Sequence, residues 1–137
     1  MKNSYSNIFT FNKKILYKTI KILRNSGVAG LPTETVYGLG GNAYAKGAIN
    51  RIYKIKSRPK INPLIIHYYN LMNARKDIIT NKHFEKLYKK FCPGPITFIL
   101  KRRPGSKIHP IACAKLKTVA IRFPKNKIIR SILKKTN

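Results

Sequence analysis

The segment Leu31-Pro32-Thr33-Glu34-Thr35-Val36-Tyr37-Gly38-Leu39 is two apolar pieces joined by a tight polar elbow. Proline cannot donate to a β-ladder, so Pro32 closes a short buried strand over 28–31. A second strand resumes over 36–39, with Gly40-Gly41 read as a turn. The elbow therefore places Thr33, Glu34 and Thr35 where an apolar element breaks. A helix later, Lys56-Ser57-Arg58-Pro59 offers two cations one residue apart. Then Asn62-Pro63-Leu64-Ile65-Ile66-His67 reads as a core strand over 64–66 that runs into a histidine. Polar groups at the ends of three apolar elements are how a small-molecule pocket is built on an α/β scaffold.

The remaining pattern fills in that scaffold. Ile15, Leu16, Thr19, Ile20 and Leu23 recur at helical spacing, and Asn25-Ser26-Gly27 supplies a stop, which predicts a helix over 12–25. Ala45, Ala48, Ile49, Ile52 and Ile55 predict a second, ending before Pro59 because the residue preceding a proline is pushed out of the α region. Residues 83–91 read as helix, Cys92-Pro93-Gly94-Pro95 as a rigid turn, 96–100 as a strand and 101–107 as a basic loop. Residues 118–123 alternate like a strand, and 127–134 begin a helix. Nothing repeats and no low-complexity linker divides the 137 residues, so one α/β domain of mixed strand order, spanning 1–137, is expected.

Composition limits the function classes. A hydrophobic fraction of 43% supports a globular core. No apolar run approaches the roughly 20 residues of a membrane span. Residues 1–14 lack the apolar stretch and cleavage site of a secretory signal. Cys92 and Cys113 form neither a metal spacing nor a disulfide framework. A cytoplasmic protein is expected, with no membrane partner. The charge is extreme: 30 Lys and Arg against 3 Asp and Glu, a net of +27. It suits a polyanion such as RNA. It also suits compositional drift, since Lys, Ile, Asn and Tyr share A/T-rich codons, the bases are spread along the chain, and no aromatic platform is interleaved with them.

Each candidate site residue has a bland reading beside the functional one. Thr33, Glu34 and Thr35 can hold a polar ligand or simply cap a turn. Lys56 and Arg58, taken as part of an extended stretch, project the same way and suit a triphosphate, or they form a solvated basic face. No Walker loop and no G-x-G-x-x-G is present. His67 is a ligand or a satisfied core residue, and no second histidine stands at metal spacing. His83 and His109 read as loop or surface residues, and the cysteines as small core residues. Arg122, inside the strand Val119-Ala120-Ile121-Arg122-Phe123, either reaches solvent or meets an anion. A Ser/His/Asp device would need an acid on a histidine, and only Asp77, placed in a polar helix, is available; no carboxylate pair exists. An enzyme of this composition works by positioning and charge stabilisation.

Five ordered blocks carry a resemblance. The elbow segment, Ile52-Tyr53-Lys54-Ile55-Lys56-Ser57-Arg58-Pro59, Asn62-Pro63-Leu64-Ile65-Ile66-His67, Pro93-Gly94-Pro95-Ile96-Thr97 and Val119-Ala120-Ile121-Arg122-Phe123-Pro124 resemble the YrdC-like threonylcarbamoyl-AMP synthases, from about Ile15 onward. The resemblance implies an α/β (α+β) fold, a twisted mixed sheet with flanking helices and an open cleft. It implies a nucleotidyltransferase that makes threonylcarbamoyl-AMP and pyrophosphate from L-threonine, bicarbonate and ATP, for threonylcarbamoyladenosine modification of tRNA. It implies that Thr33, His67 and Arg122 contact L-threonine, that Lys56 and Arg58 face the ATP phosphates, and that Thr118 lies near the nucleotide. Mg²⁺ enters with ATP, no catalytic acid or base is assigned, and no protein metal site is expected. A threonylcarbamoyl-transferase complex is an implied partner.

The family pattern continues into a Ser-x-Asn motif beyond the helix after Arg122, whereas this sequence ends at Asn137. The domain is accordingly expected to be incomplete at its C-terminus, with weak or absent synthase activity on its own. Two alternatives accompany the synthase: a non-enzymatic relative that binds tRNA or double-stranded RNA through its charge, and another carbamoyl-transfer or acyl-adenylate enzyme on the same fold with a different acceptor.

Overall fold

The computed structural model describes residues 7–136, so Asn137 and the first part of the 1–14 stretch lie outside it. Helix α1 (Lys13–Arg24) starts at Asn12, whose side chain accepts from the Ile15 N–H at 3.0 Å. It stops at Ser26, left-handed at φ 58°, with the Gly27 N–H donating back to the Ile22 carbonyl at 2.8 Å. A Cβ on Gly27 would stand 2.6 Å from Ile22 Cγ2, so the tight stop needs glycine just past the turn.

Strands β1 (Val28–Pro32) and β2 (Tyr37–Gly41) form an antiparallel hairpin in register from Val28 opposite Gly41 to Pro32 opposite Tyr37. Gly40 and Gly41, expected as a turn, are strand residues. Gly41 faces α2 (Lys46–Ile55), where a Cβ would stand 3.2 Å from both Ala48 and Ile52, and a Cβ on Gly40 would stand 2.8 Å from Leu31 Cδ1 of the paired strand. Close approach, not chain reversal, is the reason for the pair.

The second sheet has the order β3 (Ile65–His67), β5 (Thr118–Arg122), β4 (Thr97–Lys101), with β3 parallel and β4 antiparallel to β5. This is the expected mixed sheet, with the hairpin standing apart as its own two-stranded sheet. One face carries Ile66, Phe98, Leu100, Val119 and Ile121 into the core, where Phe84 meets Phe98 edge-on at 5.0 Å. Phe84 comes from α4 (Lys82–Phe91), which Asn81 caps. The other face is open: Ile65 is 45% exposed and Ile99 72%. The expected core strand over 64–66 is therefore buried only at alternate positions, as a sheet covered on one side requires. Helix α5 (Lys127–Thr136) follows β5 and packs on α1. The one-turn α3 (Leu71–Ala74) and a 3₁₀ turn at Pro110–Cys113 are too short to announce themselves by periodicity. No helix among the described residues is long and apolar enough to cross a membrane.

Asp77 is not in a polar helix. It lies in the turn after α3, 1% exposed, and is the buried charge of the core. Tyr44 and Tyr68 donate to its Oδ2 at 2.6 and 2.8 Å, and Ser106 and the Lys107 N–H to its Oδ1 at 2.7 and 3.2 Å. Burial alone would raise its pKa; the donors outweigh burial and hold it below the ordinary value of 3.8. Asp77→Ala strands the buried Tyr68 hydroxyl and the part-buried Tyr44 hydroxyl and is expected to cost about 3 kcal/mol in urea denaturation. Because the folded pKa is depressed, the stability Asp77 contributes is present above pH 3.8 and is lost as the pH falls through the folded value. An acid titration of the unfolding midpoint checks this: the slope below pH 3.8 should flatten in the variant.

Candidate functional site

The elbow is built by its own first hydroxyl. Thr33 Oγ1 donates to the Val36 carbonyl at 2.6 Å and accepts from the Val36 N–H at 3.1 Å and the Thr35 N–H at 3.2 Å. It closes the turn, and Thr33 also lines a cavity of about 390 Å³ below it. The turn-cap reading of Thr33 is what its hydrogen bonds show. Glu34 caps: its Oε2 accepts from the backbone N–H of Lys125 at 3.1 Å and of Asn126 at 3.5 Å, at the start of α5. Of the two readings of Glu34, polar ligand or cap, the structure shows a cap, on α5 rather than on its own turn.

Arg122 meets an anion, and the anion is internal. Its Nη1 lies 3.9 Å from Glu34 Oε1, and it donates from Nη1 to Thr35 at 3.3 Å and from Nε to Thr97 at 3.2 Å. The hydroxyls of Thr35 and Thr97 were not legible as partners, since they come from a hairpin turn and an antiparallel neighbour. In the β3–β5 register His67 stands directly beside Arg122. Burial first, and the Arg122 charge second, lower the His67 pKa to about 4, against a smaller opposing pull from Glu34. His67 is therefore a neutral ring at the wall of the cavity.

Lys56 and Arg58 line the same cavity but not by the expected extended geometry. Lys56 caps α2 in the right-handed region and Ser57 turns left-handed at φ 47°. The Ser57 N–H donates to the Lys54 carbonyl and the Arg58 N–H to the Tyr53 carbonyl, a Schellman stop with serine in the glycine position. Arg58 then donates from Nη2 to the Pro63 carbonyl at 2.9 Å and from Nε to the Asn62 carbonyl at 3.2 Å. Its fork is fixed to backbone, whereas Lys56 is exposed. From Pro63 the chain runs to His67, about 13 Å at strand rise. The cavity thus has a cationic end at Lys56 and Arg58, and a second end at Thr33, His67 and Arg122.

Thr118 lies apart from these. It shares the open face of β5 with Arg122 but stands four residues earlier, opposite Lys101, and is not among the residues lining the cavity. His83 is exposed on α4, while His109 is half-buried and accepts from the Ile111 N–H at 3.3 Å. Cys113 is buried and Cys92 packs at the edge of the core, as small core residues do. No group of three or more His, Cys, Asp or Glu among the described residues could hold a metal ion.

Comparison with known proteins bears on this geometry. The Sua5–YciO–YrdC family, described as telomere recombination, matches residues 21–137. The chain belongs to this family. It is 39% identical over 118 residues to a threonylcarbamoyl-AMP synthase of Bacillus subtilis, covering 84% of this chain and 33% of the relative. It is 40% identical over 115 residues to that of Pyrococcus abyssi, covering 81% and 32%. The crystal structure of P. abyssi Sua5 complexed with L-threonine superposes with a TM-score of 0.87 at 31% identity, over 93% of this chain and 37% of that one. The chain therefore spans about a third of the length of these relatives, and its mixed α/β architecture is that of the family.

Two measurements check the local geometry. Ser57→Val puts a β-branched residue at φ 47° and is expected to cost about 2 kcal/mol of stability, while Ser57→Gly keeps the stop at no cost beyond a few tenths. Equal midpoints for the two variants in urea would contradict the left-handed assignment. His67 should titrate near pH 4 by NMR. Because that value is depressed from 6.5, its contribution to stability is full above pH 6.5 and is lost as the pH falls towards 4.

Proposed function

We propose that this chain is the threonylcarbamoyl-AMP-forming part of a synthase, using L-threonine, bicarbonate and ATP. The observation that carries the reading is the two-ended cavity: Lys56 and Arg58 at one end, Thr33, His67 and Arg122 at the other, on a fold that superposes on a relative holding L-threonine. The names of the curated relatives favour this enzyme over the RNA-binding alternative.

In this reading Arg122 takes the threonine carboxylate, since its remaining N–H groups are free of Thr35 and Thr97. The neutral His67 ring accepts or donates a hydrogen bond without adding charge. The threonine ammonium gives a proton to solvent, the free amine attacks the carbon of the bicarbonate-derived unit, water leaves, and the carbamate oxygen attacks the α-phosphorus of ATP. The bond to the β-phosphate oxygen breaks, and pyrophosphate departs toward Lys56 and Arg58, whose charges offset the negative charge developing there. No protein general base is needed. The residues present do not make a Mg²⁺ site: the cavity has no carboxylate cluster, and the nearest acid, Glu34, is engaged by α5 and Arg122. Any Mg²⁺ belongs to the triphosphate, and Thr118 has a nucleotide role only if the base lies along the open face of β5. The product would pass, in the cytoplasm, to a transferase acting on tRNA.

The test is pyrophosphate release from ATP by the folded chain. Release is expected to require both L-threonine and bicarbonate. Arg58→Ala should lower it by about 100-fold, the usual size for loss of one electrostatic donor to developing charge. Release that ignores L-threonine would sink the reading.

A further inference from the structure

Glu34 keeps one carboxylate oxygen without a hydrogen bond. Oε2 caps α5, but Oε1 is solvent-excluded and has no hydrogen-bond partner, with Arg122 Nη1 3.9 Å away. A buried carboxylate oxygen left unpaired is costly, and persists where something depends on it. Only three acids exist in the chain. Asp77 is closed inside its tyrosine pair, and Glu85 pairs with Arg75 on the surface. Glu34 is therefore the carboxylate that the cavity's second end feels.

Its effect is to divide the cavity electrically. In a chain of net charge +27, every cation in a concave site attracts anions. Lys56 and Arg58 have no acid beside them among the described salt bridges, so their end stays cationic. Arg122 has Glu34 behind it, and both side chains are only 15% exposed, so little solvent screens the pair. That end is close to neutral while still presenting guanidinium N–H groups. A bare anion gains little there. A zwitterion gains at both poles: its carboxylate meets Arg122, and its ammonium sits in a field that Glu34 keeps from being positive.

We propose that Glu34 is a specificity-determining positioning residue which, acting through Arg122, reserves this end of the cavity for a zwitterionic α-amino acid and keeps phosphate-bearing ligands at the Lys56–Arg58 end. The amino acid being L-threonine rests on the function proposed above; the exclusion of phosphate does not.

The test follows the His67 ring, which reports the Arg122 end, and the Ser57 backbone amide, which reports the Lys56–Arg58 end, by NMR on the whole chain. The probes are inorganic phosphate and L-threonine. In the unmodified chain phosphate should move Ser57 at a concentration at least about tenfold below any that moves His67, while L-threonine moves His67. In Glu34→Gln, which keeps an acceptor for α5 but removes the charge, phosphate should gain about tenfold at His67 and L-threonine should gain nothing, the order expected for removing a like charge from the far side of Arg122 at protein-surface dielectric. Glu34→Asp should restore the exclusion. Phosphate moving His67 and Ser57 together in the unmodified chain overturns the proposal, and that comparison needs no variant to fold. Unchanged phosphate affinity at His67 in a folded Glu34→Gln chain overturns it as well. L-threonine leaving His67 unmoved would count against the substrate, while the phosphate arms still decide the role of Glu34.

Discussion

A sheet covered on one side is the constraint behind the whole cavity. Strand pleating sends alternate residues to opposite faces, so the positions that bury Ile66, Ile121 and Phe98 force Ile65, His67, Arg122, Thr97 and Ile99 to the other face. Were that face packed, Arg122 would be a buried cation that only a well-built ion pair could hold. Left open, it becomes a wall on which a guanidinium and an imidazole stand side by side, set there by the β3–β5 register. The hairpin then supplies the missing partners from across the gap: Thr35 and Glu34 reach Arg122 from a turn more than 80 residues earlier. The site is thus a join between two sheets that share no strand pairing.

That join explains what was legible in the sequence and what was not. Periodicity located α1, α2 and α4 because each has one apolar stripe and an asparagine or proline boundary, and boundaries of this kind act over three or four residues. The same local logic read the elbow at Pro32 correctly. It misread Gly40-Gly41, because a glycine pair means a turn when only neighbours in sequence are considered, and a close approach once Leu31 and α2 are brought against it. It misread the path from Lys56 to Arg58 for the opposite reason. Pro59 excludes helix at Arg58, but the means of exit, a left-handed serine, is a choice the backbone makes with Tyr53 and Lys54. Asp77 was misplaced because its four donors come from segments up to 33 residues away. The candidate residues themselves were found by resemblance and by position at strand ends; the interactions that give Arg122 and Glu34 their character are long-range, and no spacing rule reaches them.

The charge of the chain looks different once its acids are placed. A net of +27 spread over the surface carries no specificity of its own, since surface cations are solvated and screened within about 10 Å. What such a background does is raise the consequence of each carboxylate. Asp77 organises the tyrosine pair behind the cavity, and Tyr44 and Tyr68, whose own pKa values are pushed up by burial and by Asp77, stay neutral donors to it. Glu34 does two tasks with two oxygens: one caps α5, the other faces Arg122. Few acids in a basic protein are therefore not an impoverished inventory. They mark where the fold needs a fixed negative charge, and at the cavity that need is to stop one of its cations from behaving like all the others.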